Sequence, residues 1–77
     1  MANRQIMYNA AKDYFHGKIA YHKANVEVYL SNPVAIGEHG DLMEELDKNI
    51  GMVTDYQDKL ETLRTTFGNT KKELLSE

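Results

Sequence analysis

Two apolar stripes at helical spacing run along residues 8–29, and they point in different directions. The first is Tyr8, Ala11, Phe15, Ile19, His22, Val26 and Tyr29, stepping by three or four residues as one face of an α-helix must. The second is Ala10, Tyr14, Gly17, Tyr21, Ala24 and Val28, in which small and large side chains alternate. At about 100° per residue the stripes lie roughly 140° apart, too far for one neighbouring helix to cover both. A chain that folds as two helices uses one stripe to close on itself. The other stripe calls for a partner, so the pattern reads as an assembly element.

The size of the chain points the same way. Seventy-seven residues make one domain at most, in the range where a single hydrophobic core is thin. There is no cysteine, so neither a disulfide framework nor a thiolate metal site can supply the missing support. Association is the remaining route. Apolar runs are a few residues long, far short of the roughly 20 that span a bilayer, and the first residues lack an apolar signal core. A soluble, cytoplasmic protein with no membrane partner is the expectation.

Net charge is −3, unevenly spread. Residues 1–31 carry Arg4, Lys12, Lys18 and Lys23 against Asp13 and Glu27, a net of +2, whereas residues 41–67 carry seven acidic groups against Lys48, Lys59 and Arg64, a net of −4. This weak complementarity favours pairing the first helix with the second. No basic face suited to a phosphate backbone emerges, so nucleic acid is not an expected partner.

The first helix is expected from about residue 3 to 30, with Asn3 as its N-cap and Ser31-Asn32-Pro33 as its stop, because proline lacks a donor and restricts the residue before it. A linker over 31–40 follows. Asp41, with Glu44 three residues on, forms a capping-box pattern that opens the second helix over about 41–67. Its seam reads Leu42, Leu46, Ile50, Val53, Tyr56, Leu60, Leu63 and Phe67, with Gly68 as a left-handed terminator. Matched lengths and a short linker predict an antiparallel hairpin over 1–68, all-α, dimerising into a four-helix bundle. The tail, 69–77, is expected to be flexible or weakly helical, with Leu74 and Leu75 docking only where a neighbour offers a groove.

Several side chains invite a chemical reading. Ala10, Gly17 and Ala24 lie seven apart, each followed four residues later by Tyr14, Tyr21 or Val28; an antiparallel copy would set large side chains over small ones in a two-fold contact. The plainer reading is that this face covers the linker or tail of its own chain. Asp13 and His16 stand one turn apart but on the polar side of the helix, so a solvated pair is preferred to a metal site. His22 occupies a seam position, as a core histidine or as an interface group that would make assembly pH-sensitive. Asn49 falls where the seven-residue repeat of the second helix expects an apolar residue. Either it is a buried amide that fixes register, or a slight rotation sends it to solvent and Ile50 inward.

Val34 and Ile36 are apolar residues in a polar linker, suited to plugging the end of the hairpin. Glu38, His39 and Asp41 sit on a glycine-flanked turn and form a candidate recognition loop. A histidine and an acid without nucleophile, oxyanion donor or pocket do not make an enzyme, and no cofactor site is evident.

The stretch Asn32-Pro33-Val34-Ala35-Ile36-Gly37-Glu38-His39-Gly40-Asp41, continued by Leu42-Met43-Glu44-Glu45-Leu46-Asp47, resembles small uncharacterised helical proteins encoded by large tailed phages of marine cyanobacteria. The resemblance covers the linker and second helix, about half the chain, and carries over no catalytic residue. It implies a phage protein made in the host cytoplasm, either regulating a host factor or serving assembly. The residues themselves point to a non-enzymatic interaction module that self-associates through its first helix. The alternatives are a structural subunit of a larger assembly and, behind it, a carboxylate/histidine metal-binding bundle.

Overall fold

A computed structural model describes residues 2–32 and 41–68. It consists of two helices, α1 (Ala2–Ser31, 30 residues) and α2 (Leu42–Phe67, 26 residues), packed along one another. They run antiparallel. The Arg4 guanidinium donates to the Phe67 carbonyl (2.8 Å), Phe15 meets Tyr56 and His22 meets Asn49, so ascending positions in α1 face descending positions in α2.

Each helix is bounded by local chemistry. At the start of α2 the Asp41 carboxylate accepts from the backbone N–H groups of Met43 (2.9 Å) and Glu44 (3.2 Å), satisfying two donors that the helix cannot. Glu44 and Glu45 in the first turn and Arg64 in the last complement the helix dipole. Gly68 terminates α2 as expected, but not in left-handed geometry: its backbone is extended (φ −60°, ψ 149°) and its N–H donates to the Arg64 carbonyl. Any residue reaches those angles, so the stop does not exploit the freedom of glycine. The start of α1 differs too, since the helix already includes Ala2 and Asn3 lies inside its first turn rather than capping it. Its other end is close to the expectation, with the Asn32 N–H bonded to the Val28 carbonyl.

Every residue of the first stripe faces α2. Tyr8 and His22 are buried, and Ala11, Phe15, Ile19, Val26 and Tyr29 are half-buried. On α2 the facing row is Leu42, Leu46, Asn49, Val53, Tyr56, Leu60 and Leu63, an unbroken alternation of four- and three-residue steps. Ile50, which the sequence placed in that row, is 51 % exposed, and Phe67 at its end is 53 % exposed. The amide of Asn49 (4 % exposed) takes the inward position and turns Ile50 about 100° away. Among the described residues Tyr8 is the one buried apolar side chain. Two helices in a single layer cannot do better, because each leaves most of its circumference to water.

Candidate functional site

At mid-length the interface between the helices is polar. Asn25 Nδ2 donates to Asn49 Oδ1 (3.0 Å), and Asn49 Nδ2 donates to the Glu45 carbonyl one turn back (3.0 Å). Because Asn49 Oδ1 can only accept, His22 Nδ1, 2.8 Å away, carries a hydrogen and donates to it. The His22 ring stacks near-parallel on Tyr56 (centroids 6.2 Å apart, 11° between planes) and meets the ring of Tyr21 edge-on at 4.9 Å. This cluster ties α1 to α2 in one alignment: a shift of either helix by a turn would leave the buried Asn49 Oδ1 without its donors. The cluster thus fixes how the two helices are aligned.

The second stripe is where the described surface is unusual. Ala10, Tyr14, Gly17, Tyr21, Ala24 and Val28 are all exposed, and the first stripe, by contrast, is consumed by α2. Tyr14, Tyr21 and Val28 are 57, 59 and 48 % exposed, and Met7, one heptad before Tyr14, extends the row at 68 %. A Cβ built on Gly17 meets nothing within 4 Å, so nothing among the described residues explains a glycine in the middle of a helix. The alternative that this face covers its own linker or tail concerns residues outside those described.

The stripe is also organised. Lys18 places its ammonium over the rings of both Tyr14 (5.7 Å) and Tyr21 (5.9 Å), holding the two tyrosines on either side of Gly17. Tyr14 in turn touches Phe15 and Tyr56 edge-on, and Tyr21 touches His22. The exposed aromatics are thus anchored from beneath by the core, as rigid contact residues should be. Met7 and Lys18 were not singled out in the sequence. Met7 could have been found by extending the heptad backward, whereas the position of Lys18 depends on rotamers that spacing does not encode.

The other candidates are dispersed. Glu38 and His39 lie outside the described residues, as do Val34, Ile36 and the 69–77 tail, and Asp41 is occupied as the cap of α2. Asp13 and His16 are both exposed, and among the described residues no group of three or more His, Cys, Asp or Glu is placed to hold a metal ion. An open apolar groove of about 340 Å³ lies between the helices near the end where they meet through Arg4, lined by Phe15, Leu63 and Phe67 with Asp58, Lys59 and Thr62 at its edge. Among the described residues no helix is long and apolar enough to cross a membrane. No family model, curated protein or solved structure matches this chain, so its own geometry carries the functional reading.

Proposed function

We propose that this chain is a non-enzymatic protein–protein interaction module that self-associates through α1. One observation carries the reading: the hairpin uses one stripe of α1 completely and leaves the other, with four large apolar side chains and a bare glycine, facing water. A dimer would bury that face and thicken a core in which, among the described residues, a single apolar side chain is buried. The acidic outer face of α2 and the linker would then remain for a further protein, a host factor if the chain is phage-encoded, in the host cytoplasm.

Light scattering after size exclusion over a range of concentrations tests this. A dimer is expected, and Ala24→Arg, placing a charge within the stripe, should give a monomer less resistant to denaturant. A concentration-independent folded monomer, or a dimer indifferent to Ala24→Arg, refutes it. The thin core supports a second reading, a structural subunit of a larger assembly, which predicts a poorly folded or polydisperse isolated chain.

A further inference from the structure

We infer that the second copy docks antiparallel on α1, in a register that sets Met7 opposite Ser31, Tyr14 opposite Ala24, Tyr21 opposite Gly17 and Val28 opposite Ala10. The inference rests on the self-association proposed above and deepens it by naming the orientation and the layers.

The argument is one of volume. The exposed row runs Met7, Ala10, Tyr14, Gly17, Tyr21, Ala24, Val28, Ser31, alternating large and small at steps of three and four. In a parallel pair like meets like, so layers of two tyrosines alternate with layers of alanine or glycine, and the helices would be wedged apart at one level and gapped at the next. In an antiparallel pair each large side chain meets a small one, and every layer has similar volume. Of the antiparallel alignments one heptad apart, the one named here matches all four large residues; sliding a heptad either way leaves Met7 or Val28 beyond its small partner.

The area suffices for a specific contact. At roughly 200 Å² for a large side chain, the exposed fractions of Met7, Tyr14, Tyr21 and Val28 amount to roughly 450 Å² per copy, or 900 Å² for the pair, before the small residues are counted. That is close to the roughly 1,000 Å² expected of a real interface. The bare space over Gly17 is where Tyr21 of the second copy would lie.

Charge runs the other way at the edges. This register brings the two Lys18 side chains near each other on one edge, and Asp13 near Glu27 of the second copy on the other. Asp13 and Glu27 are exposed and Lys18 is half-buried, and like charges at such an edge are screened by salt. The dimer should therefore tighten as salt is added, and one that loosens overturns the register.

The absence of native cysteine makes orientation directly testable. At 1.5 Å per residue the two copies of residue 10 lie about 27 Å apart along the axis in this register, far beyond disulfide reach, whereas residue 10 of one copy faces residue 28 of the other. Under a mild thiol oxidant, Ala10→Cys alone should stay uncrosslinked, and a mixture of Ala10→Cys with Val28→Cys should give covalent dimers. Tyr14→Cys mixed with Ala24→Cys, each about 15 Å along the axis from its own copy, provides the same test should either terminal variant misfold. Self-crosslinking of Ala10→Cys indicates a parallel pair and overturns this inference while leaving self-association intact. A monomer by light scattering overturns both, and a dimer in which neither mixture crosslinks overturns this inference alone.

Discussion

Replacing Asn49 and His22 together should stabilise the hairpin, although replacing Asn49 alone should not. Asn49 is 4 % exposed and His22 9 %. Asn49→Leu fills the heptad with a side chain of the same branching, though larger than the amide, and contributes about 1.5–3 kcal/mol of apolar burial. It also removes the acceptor for His22 Nδ1 and for Asn25 Nδ2. The half-buried Asn25 recovers a water, but an unpartnered hydrogen on the buried imidazole costs about 1–3 kcal/mol, so the single substitution nets close to zero. Changing His22→Leu as well removes the orphan and adds a second buried leucine, at the expense of the stack on Tyr56. The double variant should gain about 2 kcal/mol, or on the order of 10 °C in Tm for a domain of this size. Asn49→Ala, which opens a void and leaves the same orphan, should lose about 2–3 kcal/mol. Urea denaturation of the four proteins in the Ala24→Arg background separates these effects from dimerisation. If Asn49→Leu alone matches the double variant, the His22–Asn49 bond does not govern the centre of the hairpin.

Two further expectations follow from local chemistry. Asp41→Ala leaves the Met43 and Glu44 N–H groups without their acceptor and should cost about 1 kcal/mol by thermal melting, whereas Asp41→Asn should cost a few tenths; equal losses would mean that charge rather than capping matters there. Gly17→Leu meets open space among the described residues, so it should raise the stability of the Ala24→Arg monomer by somewhat under 1 kcal/mol while abolishing the dimer of the otherwise unaltered chain, as read by circular dichroism and light scattering. Loss of helix in that variant would refute the open space over Gly17.

The two helices, their antiparallel pairing and the inward stripe of α1 were legible because a 3.6-residue period survives in any context where one face is buried. The inward row of α2 was legible except at one position. Polarity argued that Asn49 should be outside and Ile50 inside, yet spacing argued the reverse, and spacing prevailed because Asn25, His22 and the Glu45 carbonyl together satisfy the amide. No periodicity argument could have foreseen that set of partners, which is assembled from both helices. Gly68 was recognisable as a stop but not in its geometry, since its extended angles depend on the turn around Arg64. The exposed stripe was readable as a surplus face. Its aromatic anchoring through Lys18, Tyr56 and His22 belongs to side-chain packing and was not.

The distribution of burial along the hairpin also sets the order in which it opens. Tyr8 is buried toward one end, beside the Arg4–Phe67 bond, and His22 with Asn49 near the middle; beyond them, toward the linker, Val26, Tyr29, Leu42 and Leu46 are all half-buried. Amide hydrogens on that linker side should exchange through small local openings, and those between Tyr8 and His22 only when the two helices part company. Tyr14, Gly17 and Tyr21 lie within the slowly exchanging half. A second copy would thus meet a surface already rigid around Tyr14, Gly17 and Tyr21, and its arrival would slow exchange most where the free hairpin is loosest, around Val28 and the start of α2.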